Sequence, residues 1–159
     1  MDTNPSGEDD DHSGAPRVTA SNLAIVPGQS GHGEFLGIAY RDHGPDWVEL
    51  SLDWREDLVG DPETGVLASG PVISLLDTAT SMAAWIVQER YNPQVTLDLR
   101  IDYVRASPPG KTIVARAECY KLSRSMAFVR GFAHDGDPAD PVAHAAGIFM
   151  LLDSSGGGA

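Results

Sequence analysis

The run "ASGPVISLLDTATSMAAW", Ala68 to Trp85, sets one carboxylate, Asp77, in the middle of an otherwise apolar segment, with Thr80 and Ser81 about one helical turn further on. On a helix, Ile73 lies one turn before Asp77, and Val72, Leu75, Leu76, Ala79, Met82, Ala83 and Ile86 cover most of the remaining circumference. A helix apolar nearly all round demands burial, and a carboxylate on it demands hydrogen-bonding partners. A carboxylate with two hydroxyls nearby is able to serve as a general base. The competing reading places Asp77 on a solvent-facing stripe, or against a nearby backbone donor, with no chemistry at all.

The flanking sequence shows what must hold this helix. "EFLGIAYRDHGPDWVELSLDW" reads as a hairpin turning at "DHGPD", with Val48, Leu50, Leu52 and Trp54 on one side and Glu49, Ser51 and Asp53 on the other. "SNLAIVPGQSGH" before it reads as a short helix or turn, and "REDLVGDPETGVLAS" after it as a loop. That loop feeds a helix from Ser69, its expected N-cap, to about Glu89, and "YNP" ends it. "QVTLDLRIDYV" then alternates Val95, Leu97, Leu99, Ile101 and Tyr103 against Thr96, Asp98, Arg100 and Asp102. "TIVARAECYKL", "SRSMAFVRGFAHD" and "PVAHAAGIFMLL" complete the strands. Two strands, one long helix and four strands predict an α+β domain whose curled antiparallel sheet wraps the helix. The strand "SRSMAFVRG" or its neighbour is expected to carry the sheet into a second subunit.

With 159 residues the chain suits one domain, here 17–152, and its net charge of -12 argues against nucleic acid and anionic membranes as partners. Asp2, Glu8, Asp9, Asp10 and Asp11 precede the first basic residue, Arg17, so 1–16 reads as a disordered acidic tail and "DSSGGGA", 153–159, as a flexible one. A single cysteine, Cys119, in a strand-like run reads as a buried structural thiol and suits a reducing cytoplasm. No secretory signal and no apolar run long enough to span a bilayer are expected. The scattered histidines, His134 and His144 among them, suggest no metal site. Trp47, Trp54 and Trp85 read as core residues ahead of pocket-lining ones.

In their order and spacing, "GVLASGPVISLLDTA", "QVTLDLRIDYVRASPPG", "KLSRSMAFVRG" and "VAHAAGIFML" resemble the hotdog-fold acyl-CoA thioesterases of the phenylacetate-pathway (PaaI-like) group, over about Phe35 to Leu152. The resemblance implies a long helix inside a curled sheet, a homodimer or dimer of dimers, and active sites between two subunits. It implies that Asp77 is the base or nucleophile at the thioester carbonyl, that Thr96 orients the attacking water, and that Ser81 matches a further hydroxyl position. It places the N–H that polarises the thioester oxygen at Ser69 or Gly70, and it requires no cofactor beyond the coenzyme A of the substrate. Such an N–H at the positive end of a helix suits the charge that thioester hydrolysis builds on oxygen. For the coenzyme's phosphates, Arg105, Lys121 and Arg124 with the hydroxyls of Ser123 and Ser125 are the candidates.

Two positions depart from the family pattern. Ala68-Ser69-Gly70 stands where relatives carry His-Gly-Gly, and Asp61 where relatives commonly carry an Asn that helps hold the carbonyl; an ionised Asp cannot donate that hydrogen bond. A non-catalytic acyl-CoA binding or sensing protein is therefore the alternative expectation. The hydratase branch of the fold is a third, disfavoured because no His follows Asp77 in "TATSMAAW".

Overall fold

The computed structural model describes residues 16–23 and 31–152. The expected tails lie outside the described residues except for Pro16, whose carbonyl accepts from the Tyr91 N–H at 3.0 Å. Of the ambiguous early segment, the described part forms helix α1, Ala20–Leu23. A second short helix, α2 (Gly31–Leu36), takes up the start of what reads as the first hairpin strand.

Strands β1 (Ala39–His43) and β2 (Trp47–Leu52) form the expected hairpin. The predicted loop contains a 3-10 turn (Glu56–Leu58) and a small hairpin of β3 (Val59–Asp61) and β4 (Val66–Leu67). Helix α3 runs Ser69–Gln88, and Glu89 ends it in the left-handed conformation (φ 57°). Four long strands follow: β5 (Gln94–Tyr103), β6 (Ile113–Leu122), β7 (Met126–His134) and β8 (Ala143–Leu151). One antiparallel six-stranded sheet results, ordered β1-β2-β6-β7-β8-β5.

Why the helix lies against this sheet is visible in the inward residues. Val48, Leu50 and Leu52 of β2, Ile113, Ala115 and Ala117 of β6, Ala127, Val129 and Ala133 of β7, and Phe149 of β8 meet Leu75, Leu76, Ala79, Met82 and Ala83 of α3 in one buried core. Each fully buried Leu or Met contributes roughly 1.5–3 kcal/mol. The many alanines leave room for the helix to approach the strands. By length and composition the 20-residue α3 would also span a bilayer, contrary to the sequence expectation, but it is the core helix, with half of its span buried in the protein. Cys119 is buried, and its thiol pKa is raised by desolvation.

Three sequence expectations are corrected here. Ser69 is the first helical residue and Ala68 holds the N-cap position, with no side-chain cap bond. The strand built from "SRSMAFVRG" is β7, which pairs on both sides with β6 and β8, so neither it nor its neighbours are edges; β1 and β5 are. Finally, β5 does not alternate throughout. A β-bulge lies between Thr96 and Asp98: Thr96 pairs with Phe149, Asp98 with Ile148, and Leu97 has no partner residue. Phe149 faces the core, so Thr96 and Gln94 turn toward the helix, on the same face as Leu99 and Ile101 beyond the bulge.

Candidate active site

The bulge builds the site. Asp77, half-buried on α3, accepts a hydrogen bond at Oδ1 from the Thr96 hydroxyl at 3.1 Å. Its Oδ2 has no partner among the described residues and is the oxygen free to take a proton from water. Had β5 alternated regularly, Thr96 would share a face with Asp98 and Arg100, away from the helix. A signal for the bulge was present in the sequence: Gly147, inside a strand pattern, lies where a Cβ would stand 2.7 Å from the Asp98 carbonyl oxygen that the bulge pushes forward.

Further polar contacts join α3 to β5, which runs antiparallel beside it, among them one from Gln88 Nε2 to Gln94 Oε1 at 3.1 Å. Gln94 donates from Nε2 to the Ser81 hydroxyl (2.7 Å) and carbonyl (2.8 Å). Ser81 Oγ is thereby an acceptor toward Gln94, and its own proton is left to donate elsewhere. At the other end, the Tyr103 hydroxyl donates to the Ser69 carbonyl at 2.9 Å. Gln94 and Tyr103 escaped the sequence reading, because a polar partner in tertiary structure leaves no mark in periodicity. Thr80, by contrast, is fully buried and spends its hydroxyl on the carbonyls of Leu76 (2.8 Å) and Asp77 (3.0 Å).

At the start of α3 the N–H groups of Ser69 and Gly70 have no acceptor among the described residues, and Pro71 has no N–H to offer. Both residues are exposed. They adjoin a cavity of about 360 Å³ lined by Ser69, Val72, Tyr103, Arg105, Ile113 and Val142 among others. Two donors and a positive helix end suit one oxygen that gains charge.

The remaining candidates divide between two ends of the sheet. Arg105 lines the helix-start cavity, but Asp135 (2.7 Å) and Asp140 (3.0 Å) already hold its guanidinium. That guanidinium, hydrogen-bonded to Asp135, holds the carboxyl at about 2, well below its usual range. Lys121, Ser123, Arg124 and Ser125 lie exposed at the β6–β7 turn. Register puts this turn at the Thr96 end: Ala127 pairs with Phe149, which pairs with Thr96, and Ser125 O accepts from the Leu151 N–H. Ser123 is occupied in closing the turn on Met126. Asp61 is exposed in the β3–β4 turn, where its carboxylate accepts from the Thr64 hydroxyl (2.6 Å) and the Glu63 N–H (3.1 Å). The Thr64 hydrogen bond first, then the Glu63 N–H, lowers its pKa.

The sequence model of the thioesterase superfamily matches residues 64–142, from the small hairpin to the residue before the last strand. A protein of known structure from Pseudomonas aeruginosa is 35% identical over 76% of this chain and 90% of its own, with a TM-score of 0.70. The chain belongs to the thioesterase superfamily. Its fold is the hotdog fold of these thioesterases, with the long helix inside the curled six-stranded sheet. A thioesterase from Haemophilus influenzae (19% identity, 91% of this chain and 98% of that one, TM-score 0.78) and a thioesterase family protein from Silicibacter pomeroyi (20%, 84% and 98%, 0.73) share the fold. No curated protein matches the chain in sequence. Membership of this thioesterase superfamily supports thioester hydrolysis as the general activity.

Proposed function

We propose that the protein is a cytoplasmic acyl-CoA thioesterase of the PaaI-like group, hydrolysing a CoA thioester to free acid and CoA in sites shared between two copies of the chain. The observation that carries this reading is the Asp77–Thr96 pair on the open side of the helix. Water deprotonated by Asp77 Oδ2 adds to the thioester carbon, negative charge gathers on the carbonyl oxygen against the Ser69 and Gly70 N–H groups, and collapse expels the thiolate, which takes a proton.

Distance supports a second copy. Ser69 and Asp77 are eight residues apart on one helix, about 12 Å at ~1.5 Å per residue, too far for one thioester to touch the base and the donors of the same chain. The outer edge of β5 pairs with nothing among the described residues, and it exposes Val95 (40%), Leu97 (51%) and Tyr103 (45%). Two such edges paired antiparallel about a two-fold axis bring the helix start of one copy to the Asp77–Thr96 end of the other. Lys121 and Arg124, at that same end, are the groups best placed for the coenzyme's phosphates, because Arg105 is engaged by two carboxylates.

One observation favours a second reading, a binding protein without turnover: the Asp61 carboxylate is consumed in its own turn and offers the substrate no donor. The test is release of free thiol from short-chain, long-chain and aromatic acyl-CoAs by wild type and Asp77→Ala. Turnover reduced about 10²-fold or more in the variant supports the enzyme. Tight acyl-CoA binding without turnover by either protein supports the second reading.

A further inference from the structure

We propose that Tyr103 is a positioning residue for the oxyanion, holding and polarising the Ser69–Gly70 peptide whose N–H receives the thioester oxygen; this rests on the thioesterase reading above. The start of α3 lacks its ordinary supports. Ala68 caps with no side chain, and Gly70 is the residue with the most backbone freedom. A first turn so built frays unless something outside the helix fixes it. The Tyr103 hydroxyl, 2.9 Å from the Ser69 carbonyl oxygen, is that restraint.

The carbonyl it grips belongs to the same planar peptide as the Gly70 N–H. Fixing the carbonyl therefore fixes the direction of the N–H, which points the opposite way in a trans peptide. Donation to the carbonyl also draws electron density from the peptide nitrogen and makes the N–H a stronger donor. Because Tyr103 ends the strand that carries Thr96 near its start, one strand sets both the base and the oxyanion donor.

Tyr103→Phe removes the hydroxyl and keeps the ring. In the intact dimer its kcat is expected to fall about fivefold to tenfold, less than the 10²–10³ that follows loss of a whole oxyanion donor. KM is expected to stay within about twofold, since the bond acts on the charge of the transition state. The Gly70 amide proton resonance is expected to move upfield. A purely structural tether would lower the thermal midpoint and leave kcat and that resonance unmoved, and this result would overturn the proposal. Fluorotyrosine at position 103, a stronger donor of the same shape, is expected to move the Gly70 resonance downfield; no movement overturns the proposal even where the Phe variant fails to fold. Should wild type hydrolyse no thioester, the thioesterase reading falls and with it the catalytic part of this inference. The Gly70 resonance would then still report whether Tyr103 polarises the peptide.

Discussion

Helix α3 has two unlike sides. Toward β2, β6 and β7 it presents Leu75, Leu76, Ala79, Met82 and Ala83, all fully buried against apolar partners. Toward β5 it makes few contacts, and hydrogen bonds stand out among them: Tyr103 to Ser69, Thr96 to Asp77, Gln94 to Ser81 and Gln88 to Gln94. The first side is held by area removed from water, which is tolerant of direction. The second is held by bonds that specify direction and supply little net stability, about 0.5–1.5 kcal/mol each. Stability and chemistry are thus assigned to opposite sides of one helix, and substitutions should separate them.

The widest separation is expected between adjacent residues. Asp77→Asn should cut thioester turnover about 10²-fold while the thermal midpoint stays within about 2 °C. Leu76→Ala, one position earlier, should cost about 2–5 kcal/mol of stability in a chemical denaturation series while kcat per folded chain holds. If the two variants lose stability equally, the division of the helix fails. Thr96→Val should lower kcat roughly threefold to tenfold through the lost hydrogen bond, whereas deleting Leu97 should leave a regular strand with Thr96 still opposite Phe149 and facing the helix, and kcat within about twofold. A deletion variant that loses as much kcat as Thr96→Val would show that the site needs the bulge itself and not only the facing of Thr96.

The smallest effect concerns acid. Asp135 titrates at about 2 in the folded chain, held down chiefly by its hydrogen bond to Arg105, against about 3.9 for an unfolded Asp. A depressed carboxylate contributes stability that is fully present above the unfolded value and lost as pH falls through the folded one. The thermal midpoint of wild type should therefore fall from about pH 4 toward pH 2, and Asp135→Asn should flatten that decline. An equal decline in both would assign acid sensitivity to other carboxylates.

Much of this was legible in the sequence because hydrophobic patterning is a local code. The helix from Ser69 was placed to within a residue at its C-terminal end, the six sheet strands fell within the runs read as strands, and Asp77 stood out as a polar residue in an apolar helix. What failed to read was set by pairing. Nothing in "SRSMAFVRG" says that β7 has a neighbour on each side, so the edge strand was misassigned. The hairpin of β3 and β4 hid in a segment rich in turn residues, and the hydrogen bonds by which Asp61 closes that turn leave no mark in periodicity. Thr96 was placed on the face opposite Leu99 because period-two counting assumes an uninterrupted strand.

That interruption divides β5 into two numbering conventions. Before Leu97 the even-numbered residues, Gln94 and Thr96, meet the helix; after it the odd-numbered ones, Leu99, Ile101 and Tyr103, do. Substitutions along the strand change what is presented and never which way it is presented. Gain or loss of a single residue reverses that for one half of the strand, except at the bulge, where loss of Leu97 restores plain alternation and leaves both halves facing the helix as they do. A lineage carrying this site can therefore drift widely in side chains along β5, while the spacing between Thr96 and Tyr103 can change by one only where the bulge absorbs it.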